Sequence, residues 1–265
     1  MTDENVAPGP AEADAAPAAR ARRRGPLRIA LWVGAGILVL VVLLVLGFVL
    51  VPPLARPYTQ RWGATDGEVE MALPGDEYVT DPTTVSTKAI AIKAPPQLVY
   101  KLLLQMGYKR GGWYGWDWFY KATGSADFVG GSHAETIVPE LQTLELGDVI
   151  AINKMVGYRV AELSVPNEAK PGWMLLEGAM GPGIKPGNDV ITPKTTNMSW
   201  AWFVYPANDG TTRLVLRTRS GGASQGEFAD WLYANPLDFG AAVFGYKTLV
   251  GIKRTAENLA STGAR

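Results

Sequence analysis

His133 is the only histidine of the sequence and the one side chain whose ordinary pKa lies near neutral pH. It stands in a glycine-rich loop with Glu135 two positions further on, which suggests a general base beside a carboxylate. Two residues on a loop need not face each other, however, and one histidine cannot form a multi-histidine metal site. We therefore favour a solvated loop histidine, and the sequence predicts no metal site and no cofactor.

Asp117 is a second candidate for acid–base chemistry, because it stands inside a cluster of aromatic residues. The cluster consists of Trp113, Tyr114, Trp116, Trp118, Phe119 and Tyr120. A carboxyl group among rings can have a raised pKa and act as an acid, as a cyclase or dehydratase would require. We favour the alternative, in which Asp117 caps a short helix beginning at Trp118 or pairs with Arg110. The rings are expected to form core and the wall of an apolar pocket, so Trp113, Tyr114, Trp116 and Trp118 are predicted to bind ligand.

A strand predicted near the end of the chain carries a row of arginines. Arg213, Arg217 and Arg219 alternate with apolar residues and therefore share one face. Such a row is able to bind a phosphate or carboxylate headgroup, and Arg217 is our candidate for that role. A solvated outer face of the sheet is the commoner explanation of such a row.

The neighbouring strand candidate, residues 197–206, is apolar on both faces and is therefore predicted to be central. Trp200 and Trp202 lie on one face and Phe203 on the other. One of the two faces would line a cavity, so all three residues are candidates for ligand binding. The sequence does not indicate which face it is.

Charge and motif content exclude several classes of function. The chain has 25 basic and 25 acidic residues, so it carries no electrostatic footprint of nucleic-acid binding. It has no cysteine, which excludes disulfides, thiol nucleophiles and thiolate metal sites. Its glycine-rich stretches match neither a phosphate-binding loop nor a dinucleotide fingerprint, and the chain has no HExxH motif.

Residues 29–51 form an unbroken apolar run without charged residues, Asn or Gln. As a helix the run would be about 34 Å long, which is enough to cross a bilayer. Five arginines precede it closely (Arg20, Arg22, Arg23, Arg24 and Arg28), and only Arg56 and Arg61 follow it closely. The positive-inside rule then predicts a cytoplasmic N-terminus and an extracytoplasmic C-terminal domain. We favour an uncleaved signal anchor over a cleaved signal, because the run is long and no small-x-small cleavage site follows it.

Composition divides the chain into four parts. Residues 1–27 are an Ala-, Pro- and Arg-rich tail expected to be disordered, and residues 28–52 are the predicted transmembrane helix. Residues 53–60 are a proline-containing linker, and residues 61–265 have the length of one globular domain.

Within that domain the order of elements predicts an α+β fold. A strand and a helix come first, an irregular aromatic segment follows, and a run of antiparallel strands leads to a long C-terminal helix. The predicted elements are a strand over 87–94, a helix from Pro95 to its stop at Gly107, strands over 149–154, 157–165, 172–179, 197–206 and 211–220, and a helix over 237–259. A curved sheet wrapped around one long helix leaves a gap between them, and such gaps are typical small-molecule sites.

Several sequence phrases resemble the SRPBCC superfamily, the START and birch-pollen-allergen type of helix-grip fold. They lie at Leu73–Val79, Ala89–Gly107, Gly111–Trp118, Val138–Asp148 and Gly251–Leu259. The resemblance covers residues 61–259 and is closest to a mostly uncharacterised bacterial branch. It implies a hydrophobic cavity for lipids, sterols, polyketides or other apolar molecules, but it carries over no catalytic motif.

These observations leave three functions open. The first is a membrane-anchored domain that binds a lipid or other apolar molecule. The second is a polyketide-cyclase or dehydratase type of enzyme that uses Asp117 and His133. The third is a structural or partner-binding envelope protein.

Overall fold

A computed structural model describes residues 25–152, 157–178, 198–221 and 226–263 of the chain. The chain divides into two compact units, Met1–Gly47 and Phe48–Arg265. The first unit contains most of an apolar helix, and the second contains the sheet and the remaining helices.

The apolar run is helical, and the helix is longer than the run. Helix α1 extends over Gly25–Thr59, and its stretch Arg28–Thr59 has a mean hydropathy of 3.1 in its most apolar window. Pro52, Pro53 and Pro57 lie inside the helix, so the region predicted as a proline-containing linker is helical as far as Thr59. Inside a helix each proline removes an N–H donor and crowds the carbonyl group four residues before it, so this end of α1 is intrinsically weaker than the apolar run.

Six antiparallel strands form one curved sheet in the second unit. The strands are β1 Thr84–Ile92, β2 Val149–Ala151, β3 Gly157–Ser164, β4 Gly172–Gly178, β5 Met198–Pro206 and β6 Thr212–Ser220. Their order in the sheet is β1-β6-β5-β4-β3-β2, so the first strand pairs with the last and β5 is central, as its two apolar faces predict. A tight turn around Asn208 to Gly210 joins β5 to β6. The two strands pair without a break, from Met198 opposite Ser220 to Pro206 opposite Thr212.

Helices cover one face of this sheet. They are α3 Pro96–Leu104, α4 Asp117–Ala122, α5 Glu227–Leu232 and α6 Asp238–Ser261, with a short helix α2 at Asp66–Glu70 on the other face. A π-helical turn, Tyr233–Leu237, joins α5 to α6, and Pro236 lies inside it. A π-turn makes i to i+5 bonds, so it accommodates the missing proline N–H within one continuous helical segment.

The face of β6 that carries the arginines is not solvated. Residues 61–79 lie across it, and a small core of Leu73, Ala89 and Val215 is enclosed between them and the sheet. Arg217 is 3% exposed; its guanidinium pairs with Asp76 at 2.8 Å and donates to the carbonyl oxygen of Glu68 at 2.7 Å. The arginine row thus fixes the segment to the sheet, because buried guanidinium groups need acceptors and this segment supplies them.

Candidate functional site

A cavity of about 910 Å³ lies between the helix-covered face of the sheet and the segment α5–α6. Its volume is in the range of sites that enclose small molecules. Alternation along the strands supplies its floor: Lys88 of β1, Trp200 of β5, and Leu216 and Thr218 of β6 all point to the same side of the sheet. The cavity therefore follows from the gap that the sequence predicts between sheet and helix.

One part of the lining is aromatic. It consists of Trp113, Phe119, Tyr120, Tyr158, Trp200 and Phe244. Trp113 and Trp200 stack with their ring centroids 5.9 Å apart, and Phe119 lies 4.7 Å from Phe244 of α6. Burial raises the pKa of the Tyr158 phenol to about 12, so this group stays neutral across physiological pH. This part of the cavity suits rings or hydrocarbon.

The two stacked indoles each bring a polar group without a partner. Among the described residues, no acceptor lies within hydrogen-bond distance of Nε1 of Trp113 or of Trp200. An indole N–H is a donor only, so an oxygen atom of a ligand in the cavity is able to satisfy it. The aromatic wall therefore suits an apolar molecule that carries at least one acceptor.

The remaining lining mixes aliphatic with polar side chains, and its charged residues are Lys88, Asp230 and Asp238. Lys88 is 3% exposed, and its ammonium group donates to the Ser86 hydroxyl. Burial lowers the pKa of Lys88 to about 8, and the negative charge of Asp238 opposes this shift. Both carboxylates are only partly buried, whereas the ammonium lies in the interior.

The helical segment that closes the cavity exposes large apolar side chains. Phe228 of α5 is 74% exposed, Leu237 of the π-turn is 54% exposed, and Tyr233 between them is 45% exposed. Trp231 packs edge-on against Phe48 of the apolar helix, with ring centroids 6.3 Å apart. The wall formed by residues 227–237 is therefore continuous with the apolar helix at Phe48.

Asp117 and His133, sixteen positions apart in the chain, do meet in the structure. Nδ1 of His133 lies 3.0 Å from both carboxylate oxygens of Asp117, and Nη2 of Arg254 lies 3.0 Å from Nε2 of the same ring. A guanidinium can only donate, so Nε2 is the acceptor and Nδ1–H donates to Asp117. Both ring nitrogens are thereby engaged, and neither Asp117 nor His133 lines the cavity.

The contacts of Asp117 differ from those expected for it. It is the first residue of α4 and makes no capping bond to the helix, whose N-cap is Trp116. Arg110 instead donates to the carbonyl oxygens of Leu104 and Leu141, at 2.8 and 2.9 Å. The pair of Asp117 and His133 was hidden in the sequence because the contact joins a helix end to a glycine-rich loop, whose path no periodicity predicts.

Of the eight residues predicted to bind ligand, the structure places only Trp113 and Trp200 in the cavity lining. Trp202, although on the cavity side of β5, is fully buried in the core, and Tyr114 is buried with its hydroxyl accepting from Gln105 at 2.8 Å. Trp118 is 67% exposed. Trp116 packs against Phe244, which lines the cavity, and lies under the ammonium of Lys247.

Phe203 and Arg217 lie on the opposite face of the sheet from the cavity. Phe203 stacks on Trp173 with centroids 6.3 Å apart, and Arg217 is held by residues 61–79 as described above. The pleat of a strand sends alternate residues to opposite faces, so these two cannot share a pocket with Trp200.

Lys88 is the charged cavity residue that the sequence reasoning assigned to solvent. In TKAIAIKA the alternation is ambiguous in phase, and a lysine in a strand is expected to point to solvent. In the register of β1 against β6, Lys88 lies opposite Leu216, which lines the cavity. This register places the Lys88 side chain on the cavity face of the sheet. In the described ranges there is no group of three or more His, Cys, Asp or Glu residues able to hold a metal.

Comparisons with known proteins give structural neighbours only. No family model and no curated protein matches the chain. Solved structures align over most of the domain but with low similarity. A hypothetical protein of Helicobacter pylori has 10% identity and a TM-score of 0.40, with 70% of this chain and 95% of that one covered. The Zhui aromatase/cyclase of Streptomyces sp. R1128 has 16% identity and a TM-score of 0.28, with 66% and 94% covered. The quaternary ammonium Rieske monooxygenase CntA has 12% identity and a TM-score of 0.31, with 76% and 48% covered.

Proposed function

We propose that this protein is a membrane-anchored domain that holds a lipid or another apolar small molecule in its internal cavity. The observation that carries the proposal is the cavity of about 910 Å³ with its aromatic wall. Burial of apolar surface contributes roughly 25 cal/mol per Å², so a molecule that fills such a space is bound chiefly by leaving water. The resemblance of the sequence to helix-grip proteins supports the same proposal.

The apolar helix and the closing segment support a ligand taken from the membrane. Helix α1 is long and apolar enough to serve as an anchor or as a signal sequence. If it is an anchor, Phe48 and the exposed Phe228, Tyr233 and Leu237 lie together near the membrane surface. The cavity would then be reached from the lipid side through the segment of residues 227–237.

A catalytic function for Asp117 and His133 receives no support from their geometry. Each ring nitrogen of His133 has a partner, and the group lies outside the cavity lining. The contacts instead suit a structural role, in which the histidine joins its loop to α4 and to Arg254 of α6.

The test is to purify the full chain in mild detergent and to identify bound molecules by native mass spectrometry and lipid extraction. A stoichiometric apolar molecule is expected. Ala242 is buried in the cavity lining, so Ala242→Trp should fill the space and largely abolish the bound species. Ala169 lies on the exposed loop between β3 and β4, and Ala169→Trp is the matched control that should retain it. An empty wild-type chain, or equal loading of the two variants, would contradict the proposal.

A further inference from the structure

We infer that the ligand carries an acidic group, most simply a carboxylate, and that Lys88 is the residue that binds it. This inference rests on the proposed function and specifies the class of molecule that the cavity accepts. It assigns the ligand as an apolar monocarboxylate, such as a long-chain fatty acid, rather than a neutral hydrocarbon, alcohol or ester.

The first step is the position of the Lys88 ammonium. The Lys88 side chain is buried and lines the cavity. It packs beside α6 at Gly245, where an added Cβ would lie 3.7 Å from Cδ of Lys88. Among the described residues, no carboxylate lies within the 4.0 Å of an ion pair with Nζ, and its hydrogen-bond partner is the neutral Ser86 hydroxyl. An ammonium in the interior without a counter-charge costs several kcal/mol.

The second step is the placement of the acidic residues that face the same cavity. Asp238, at the start of α6, accepts a hydrogen bond from Gln60 at 3.2 Å, and Asp230 of α5 is also partly exposed. Partly exposed carboxylates keep water and are screened, so they disfavour an anionic ligand less than the buried ammonium favours it. An acidic group beside Lys88 would supply the contacting counter-charge that none of the described residues places there.

The third step is the match between the two ends of such a ligand and the two parts of the lining. Thr218 of β6, the strand that pairs with β1, also lines the cavity and lies opposite Ser86, two positions from Lys88, so its hydroxyl is a further donor available to a carboxylate. The aromatic wall with Trp113 and Trp200 takes the hydrocarbon part. A cavity that combines one buried ammonium with aromatic rings suits an amphiphile with a single small acidic headgroup.

The test is a competition on the delipidated full chain in detergent, with an equimolar mixture of palmitic acid and methyl palmitate. The two probes share their hydrocarbon chain and differ in charge, and mass spectrometry of the extract gives their ratio. The wild type should prefer the acid by roughly tenfold or more, the size expected of a charge-assisted hydrogen bond. Lys88→Met keeps the length of the stem and should abolish the preference while still loading the ester. Lys101→Met, on the exposed side of α3, is the matched control and should keep the preference.

A pH series on the wild type gives a second readout that does not depend on any variant. Nζ of Lys88 donates to the Ser86 hydroxyl of its own strand, and the negative charge of Asp238 of α6 acts on it. Asp230 of α5 is the other charged residue of the described lining, in which Lys88 is the only cation. The preference should fall as the pH is raised from 7 to about 11, through the loss of the ammonium charge. Equal uptake of acid and ester by the wild type, or a preference that survives in Lys88→Met, would overturn the inference and leave the proposed function standing. Uptake of neither probe, with no apolar molecule bound after purification, would contradict the proposed function itself.

Discussion

Lys88 should make the empty protein less stable at neutral pH than a variant without the charge. Its pKa is lowered by burial from 10.5 to about 8, so the unfolded chain binds the proton more tightly than the folded one. The cost, about 3 kcal/mol, is complete below pH 8 and disappears as the pH rises from 8 to 10.5. The delipidated Lys88→Met variant is therefore expected to unfold at higher denaturant concentration than the wild type at pH 7, with the difference shrinking towards pH 10.5. A difference that is constant across this range would contradict the buried-charge explanation.

His133 should matter for stability and not for ligand uptake. Its two ring nitrogens join Asp117 and Arg254, each at 3.0 Å, in a partly exposed site. His133→Ala is expected to lower the free energy of unfolding by about 1–3 kcal/mol, as for other hydrogen bonds to charged groups. Loading of an apolar probe should stay at the wild-type level. Glu135→Ala, on the exposed part of the same loop, is the control and should leave both quantities unchanged.

At the scale of elements, α6 depends on a close approach to the aromatic segment. An added Cβ at Gly251 would lie 1.7 Å from the carbonyl oxygen of Tyr114, whose own φ is +56°. Gly251→Ala should therefore destabilise the domain by several kcal/mol, since a backbone atom must move. Gly240 of the same helix has no atom within 4 Å of its added Cβ, so Gly240→Ala should stabilise the protein by about 0.5–1 kcal/mol. Thermal unfolding of the two variants measures both effects, and equal behaviour would contradict this packing.

The segment of residues 61–79 should be held to the sheet by Glu68. Its carboxylate accepts from Arg213 at 2.7 and 2.8 Å and from the Tyr205 hydroxyl at 2.7 Å. Burial raises the pKa of Glu68, but the bonds from Arg213, the Thr65 N–H and Tyr205 outweigh it and lower the pKa from 4.5 to about 2. The group thus contributes stability above pH 4.5, about 3 kcal/mol, which is lost as the pH falls from 4.5 towards 2.

Glu68→Gln tests this assignment. The variant should be less stable than the wild type at pH 7 and should show a weaker loss of stability between pH 4.5 and 2, as followed by denaturant unfolding at each pH. Glu70→Gln, on the exposed side of the same short helix, provides the comparison and should behave as the wild type does. Parallel acid profiles for wild type and Glu68→Gln would show that the carboxylate does not hold the segment.

Elements with a clear local period could be predicted from the sequence, and contacts between loops could not. Alternation and turn residues indicate strands β3 to β6 to within two residues, because the pleat and the hairpin turns act locally. The burial of Arg217 under residues 61–79 and the cavity position of Lys88 depend on which face each element covers. That choice is made by tertiary packing, and the sequence read locally favours solvent for both side chains.

At the scale of the whole molecule, the side of the membrane determines which ligands are available. Five arginines lie closely before the apolar run and two closely after it, so the N-terminus is expected in the cytoplasm and the domain outside. A reporter active only outside the cytoplasm, fused after Arg265, should be active in bacterial cells, and a reporter that folds only in the cytoplasm should be inactive there. Replacing Arg22, Arg23 and Arg24 with Glu should lower the fraction of molecules whose C-terminal domain lies outside the cytoplasm. The reason is that this orientation depends on the excess of arginines before the apolar run.

The same fusions separate an anchor from a cleaved signal. An uncleaved α1 keeps the full-length mass of 28.5 kDa plus the reporter and stays in the membrane fraction through an alkaline wash. Cleavage would release a shorter soluble domain and would remove Phe48 from its contact with Trp231. The closing segment of the cavity would then lose its apolar neighbour, and uptake directly from the membrane would no longer follow from the fold. The domain can therefore take a carboxylate ligand directly from the membrane, past the exposed side chains of residues 227–237 and into the cavity, only if α1 remains attached as an anchor.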